Sequence, residues 1–167
     1  MYTNFAELPP SARIWIYQAS RDFTEVEKIK LEDWLTSFVS RWQSHGAELT
    51  GSFKILYDRF IILGVDTRTN MPSGCSIDSS VAALKEIEQT LNISLFDRTQ
   101  IAFLEEGGQI STHPMQQIKS LIEEGKIDGE AITFNNLADT KEKLEAEWLV
   151  SAKNSWMKRY FAQRQTA

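Results

Sequence analysis

Cysteine is almost missing: Cys75 is the single thiol in 167 residues. It has no intramolecular partner, which excludes a disulfide-stapled fold and points to a reducing compartment. Histidine is nearly as scarce. His45 and His113, with one cysteine beside them, do not make the ligand spacing of a zinc site, so neither a metal nor a cofactor is expected. No apolar run approaches the roughly 18 residues of a membrane span, and residues 1–7 have neither the basic stretch nor the apolar run of a secretory leader. The expectation is a cytoplasmic protein with no membrane contact. Positive charge is in deficit too: 18 Lys and Arg stand against 23 Asp and Glu, a formal net charge of −5. That balance argues against a dedicated nucleic-acid binder, which would need many phosphate contacts. No internal repeat and no low-complexity linker divides the chain.

What is present reads as one globular domain over residues 1–167, with 1–10 as a short lead closed by Pro9-Pro10. At this length a folded chain buries roughly two-thirds of the surface its unfolded form exposes, enough for a core without staples. Arg13 to Gln18 is rich in aromatic and β-branched residues and reads as a strand. Thr24 and Glu27 have the spacing of a capping box, and Leu31, Leu35, Phe38 and Trp42 follow at helical period, predicting a long helix that ends before Gly46. His45 would then be a partner of the helix C-terminal dipole. Ser52–Tyr57 and Arg59–Val65 meet around Asp58 as a hairpin, and the second run, nearly all apolar, suits a strand covered on both faces. Residues 66–76 read as a loop. Ile77, Val81, Leu84, Ile87 and Leu91 mark a second helix, and Gln100–Leu104 a fourth strand that turns at Gly107-Gly108. Pro114 suits the start of a short helix and Gly125 the position after its end. Ile132–Phe134 reads as a short strand, Thr140 as a cap, and the chain from Leu144 through Phe161 as helical. The fold class is therefore α+β, and the order strand, helix, strand, strand, helix, strand favours a ferredoxin-like arrangement with additional C-terminal helices.

The stretch from Pro72 to Ser80 is the most informative chemically, because a loop of small residues feeds a helix start. Such a start presents unpaired N–H groups and a partial positive charge, suited to holding an anion or activating a thiol. Asp66, Ser73, Gly74, Ser76, Asp78, Ser79 and Ser80 are the candidate ligand-binding residues, and a small anionic ligand is the matching partner. Cys75 is the candidate nucleophile, with His45 or His113 as its base. The plainer reading is that Ser76 or Asp78 caps the helix, Cys75 is a small buried residue, Asp66 forms a turn and His113 merely precedes Pro114. Asp66 and Asp78 together are thin evidence for a metal ion.

The segment 151–167 reads as a basic and aromatic helical arm. It holds Lys153, Lys158, Arg159 and Arg164 and no acidic residue, leaving −9 for the rest of the chain. Trp156, Lys158, Arg159 and Tyr160 could meet a protein partner. Alternatively the aromatics dock on the core and the cations stay in water.

Several stretches carry a family resemblance: Arg13-Ile14-Trp15-Ile16-Tyr17-Gln18, Arg59-Phe60-Ile61-Ile62-Leu63, Ser73-Gly74-Cys75-Ser76-Ile77-Asp78-Ser79-Ser80-Val81, Leu95-Phe96-Asp97-Arg98, Phe134-Asn135-Asn136-Leu137 and Ser155-Trp156-Met157-Lys158-Arg159. Through these, nearly end to end, the chain resembles an uncharacterised family of bacterial proteins often labelled "ABC transporter ATPase". The resemblance implies a shared fold and a shared site around Cys75, without an established activity. The label itself fails a physical test. A P-loop needs G-x-x-x-x-G-K-[ST], whereas Gly125-Lys126 is preceded by Ser120 at the first glycine position and followed by Ile127. Leu104 to Gln109 resembles the ABC signature only faintly and falls in a predicted hairpin. The functional expectation is a small-molecule, anion or protein-binding module using residues 66–80. The alternative is an enzyme with Cys75 as nucleophile.

Overall fold

The computed structural model describes residues 1–165, with side chains to Ala162. Its backbone gathers into two compact units interleaved in sequence, Met1–Phe96 with Leu137–Glu145, and Asp97–Asn136 with the segment from Ala146 onward.

The first unit is organised by its most apolar segment. Strand β1 (Arg13–Gln18), helix α1 (Glu25–Arg41), a two-residue-armed hairpin β2 (Gln43–Ser44) and β3 (Ala47–Glu48), strands β4 (Gly51–Leu56) and β5 (Phe60–Val65), and helix α2 (Gly74–Leu91) follow in order. Strand β5 lies between β1 and β4, antiparallel to both, with Ile62 opposite Ile16 on one side and Lys54 on the other. All six of its residues are buried. Alternation along the pleat sends Ile61, Leu63 and Val65 into a cluster with Leu31, Leu35, Phe38 and Val39 of α1 and Leu84 and Ile87 of α2. The opposite face is covered by the N-terminal segment: a Cβ placed on Gly64 would sit 2.7 Å from Leu8 Cδ1 and 3.3 Å from the Phe5 ring. Lys141, 8% exposed, fastens that cover by donating from Nζ to the carbonyls of Leu8 at 2.7 Å and Ala6 at 3.1 Å.

The α+β class is as expected, and strands one, two and three pair as a ferredoxin-like fold requires. The fourth expected strand departs from it. Strand β6 (Gln100–Leu104) belongs to a second sheet, in the order β7-β6-β8-β9, with β7 (Ile110–Pro114), β8 (Ile132–Phe134) and β9 (Leu149–Ser151). The short turn through Gly107 and Gly108, with φ of +85° and +86°, brings β7 onto one edge of β6, and β8 takes the other. Both edges of β6 are thus occupied. The edge of β1 that would have received it is met at its start by residues 139–141, through Ile14 N–H to Asp139 O at 2.9 Å and Lys141 N–H to Ala12 O at 2.9 Å.

The second unit also holds α3 (Ile118–Glu123) and α5 (Lys158–Gln165), with Phe103, Ile118, Ile122, Ile127, Ala152 and Met157 as its core. The chain from Leu144 is not one helical arm. Helix α4 (Lys141–Glu147), capped by Thr140 Oγ1 on the Lys143 N–H at 3.2 Å, ends before β9, because Leu149–Ser151 pairs with β8 instead.

The capping box at Thr24 forms as the spacing predicts, with Thr24 Oγ1 accepting the Glu27 N–H at 3.1 Å and Glu27 accepting the Thr24 N–H at 2.9 Å. Glu27 also receives both Arg21 guanidinium nitrogens, at 2.8 and 2.9 Å. Arg21 first, and the Thr24 N–H second, hold its carboxyl down to about 2 from an ordinary 4.5. A folded-state value below the unfolded one gives stability that is complete above about pH 4.5 and is lost as the pH falls towards 2. Arg21 is 43% exposed, so solvent screening keeps this a modest contribution. Glu27→Gln is expected to flatten that part of the acid-unfolding curve, read by urea titrations at pH 7 and pH 3. An equal pH dependence in both proteins would show that Glu27 contributes nothing. Lys141→Ala should cost about 1–3 kcal/mol, because the carbonyls of Ala6 and Leu8 lose a buried donor. An unchanged urea midpoint would refute that.

Candidate functional site

The end of α1 and the start of α2 are joined by a tryptophan. Trp42 follows the last residue of α1, is 2% exposed, and stacks obliquely on Phe38 and Trp15 with ring centroids 5.2 and 5.8 Å away. Its indole Nε1 donates to the Ser76 carbonyl at 2.8 Å inside the first turn of α2. The Ser79 hydroxyl donates to the same carbonyl at 2.8 Å. Between the two helices runs the β2–β3 hairpin. Its turn is His45-Gly46, with φ of +53° and +78°, the left-handed pair that a two-residue hairpin turn of type I′ requires. The Asn70 amide ties the hairpin to the loop after β5 by donating to the Ala47 and Glu48 carbonyls, both at 3.2 Å.

These elements enclose an open cleft of about 460 Å³, lined by Phe38, Arg41, Trp42, Gln43, His45, Gly46, Ser73, Cys75, Ser76 and Ser79. That volume falls within the roughly 300–1,000 Å³ of small-molecule sites. Phe38 and Trp42 supply buried apolar surface, whereas Arg41, His45, Cys75 and Ser79 are exposed. No carboxylate is among the lining residues.

Helix α2 begins three residues before the sequence suggests, and its cap is Ser73, not Ser76 or Asp78. Ser73 Oγ accepts the Ser76 N–H at 3.2 Å while Ser76 Oγ accepts the Ser73 N–H at 2.5 Å. This is a capping box with serine in place of the usual glutamate or glutamine, which is why the familiar spacing rule passes it by. The Ile77 N–H goes to the Ser73 carbonyl at 3.0 Å. Among the described residues, the N–H groups of Gly74 and Cys75 are left without a partner at the positive end of an 18-residue helix.

The candidate residues therefore divide. Ser73, Cys75, Ser76, Ser79 and His45 come together in the cleft. Asp66, Gly74, Asp78 and Ser80 do not line it. Asp66 is buried, and its carboxylate accepts Arg68 Nε and Nη2 at 3.0 and 2.8 Å and the Arg68 N–H at 3.0 Å. The Arg68 guanidinium holds its carboxyl below the usual range, so Asp66 anchors the turn after β5. Asp78 is exposed on α2, and Ser80 is buried with its hydroxyl on the Ile77 carbonyl at 2.6 Å. His45 is not at the end of α1, which Trp42 closes; it is at the hairpin tip because Gly46 permits the turn. His113 lies on β7 of the second unit, its ring 5.9 Å from Phe103 and edge-on to it. Arg41, Gln43 and Gly46 also line the cleft, with no local sequence signal for it. Arg41 sits off the apolar stripe of α1, and only the approach of α2 turns that position into a wall.

Among the described residues no group of His, Cys, Asp and Glu is placed to hold a metal ion, and no helix is long and apolar enough to cross a membrane. Gly125-Lys126 closes α3: the Gly125 N–H donates to Ile122 at 3.0 Å and φ is +76°. A helix C-terminus presents carbonyls, the wrong polarity for a phosphate. In the 151–167 segment, Tyr160 and Phe161 pack against the core of the second unit, whereas Trp156 is 44% exposed and edge-on to Tyr160. Lys153 pairs with Glu130, and Arg159 donates to the Tyr160 hydroxyl at 2.9 Å. Arg164 lies outside the described side chains. Comparison of the chain with protein-family models, with curated proteins and with solved structures finds no match in any of the three.

Trp42→Phe leaves a smaller ring in a fully packed position and removes one donor from the Ser76 carbonyl. It is expected to lower stability by about 2–3 kcal/mol, about 1 of it from the lost donor, since that carbonyl retains the Ser79 hydroxyl, and the rest from the cavity beside the smaller ring. Urea denaturation measures it, and an unchanged midpoint would mean that the bond does not hold the two helix ends together.

Proposed function

We propose that this protein is a binding module that takes a small anionic ligand into the cleft between the end of α1 and the start of α2. One observation carries the reading. In a chain of net charge −5, the cleft is lined by Arg41, His45 and Cys75, whose backbone N–H is unpartnered at the start of α2, and by no carboxylate, over the apolar surface of Phe38 and Trp42. Helix N–H groups and a guanidinium both favour a phosphate or carboxylate, and the aromatic surface suits an apolar portion of the same molecule. A single thiol is consistent with a reducing, cytoplasmic setting.

The test is a thermal-shift series with inorganic phosphate, nucleotides and small aromatic and aliphatic carboxylates. A ligand at about 100 times its Kd adds about 2.7 kcal/mol of stability. For a chain of this size that is a rise in Tm of about 5–10 °C. Arg41→Ala should reduce the shift by weakening affinity at least several-fold. Absence of any stabilising anion would overturn the reading, and a shift insensitive to Arg41→Ala would place the anion elsewhere.

A second reading is favoured by Cys75 and His45 lining one cleft. The imidazole would take the thiol proton, the thiolate would attack an electrophilic carbon, and the Cys75 N–H would face the developing oxyanion. The cleft supplies no carboxylate to orient the imidazole, so the set is less complete than the binding one. Cys75→Ser separates the two readings, because it abolishes turnover in an enzyme and leaves anion binding nearly intact. The exposed Cys75 thiol is also expected to react with iodoacetamide in the folded protein, and a ligand seated in the cleft to slow that reaction. A stabilising ligand that leaves the alkylation rate unchanged does not occupy the cleft.

A further inference from the structure

We draw no further inference here: the strongest candidate, the surface patch of Trp156, Lys158, Arg159 and Tyr160 at the start of α5, carries nothing because the structure does not show what covers it.

Discussion

Complete burial of β5 is the constraint on which the first unit depends. A strand with six buried residues must have both edges hydrogen-bonded and both faces covered, since every backbone group left unpaired away from water costs about as much as a lost hydrogen bond. Strands β1 and β4 fill the edges. Helices α1 and α2 cover the face of Ile61, Leu63 and Val65, and Phe5 and Leu8 lie over Gly64 on the other. Gly64 leaves room for Leu8, and Lys141 secures the cover by donating to the Leu8 and Ala6 carbonyls.

The cleft is a by-product of that cover. Two helices packed on one face of a three-stranded sheet must each end somewhere, and α1 stops at Arg41, with Trp42 outside its last turn. Trp42 is both a core aromatic and a hydrogen-bond donor, so it is stable only where its ring is buried and its Nε1 finds an acceptor. The Ser76 carbonyl is that acceptor. This bond brings the positive end of α2 beside the last turn of α1 and so beside Arg41. The hairpin then has to leave the cleft by a tight turn, which places His45 at its rim. Arg41 and the start of α2 thus meet in the cleft through helix geometry and through which residues the packing leaves exposed, in a chain that is acidic as a whole.

Polar groups elsewhere are mostly consumed by structure. Arg59, buried, donates to the Ala19 and Ser20 carbonyls and to Asp22. Asp66 is taken by Arg68, and Glu27 by Arg21 and the cap of α1. Asp66, a candidate from the sequence, is thereby committed to structure. The groups lining the cleft differ because they lie at helix and hairpin ends, where the backbone has run out of internal partners.

Local pattern determined a good deal by itself. The alternation in Arg13–Gln18, the apolar run ending at Val65, the Thr24 and Glu27 pair and the period of Ile77 to Leu91 each specify an element, because side-chain periodicity and capping act within a few residues. The loop around Ser73 was legible as a helix start, though its serine capping box moved the boundary. Only the tertiary structure decided the rest. Strand β6 has the same local character in either sheet; a short hairpin of low closure cost gives one edge to β7, and the other edge is taken by β8, from beyond α3, so that none is left for β1. Arg41, His45 and Cys75 are separated by up to 34 residues, and no spacing rule connects them. Their meeting follows from packing two helices on β5 and from one indole hydrogen bond, interactions between distant segments that no single stretch of sequence encodes.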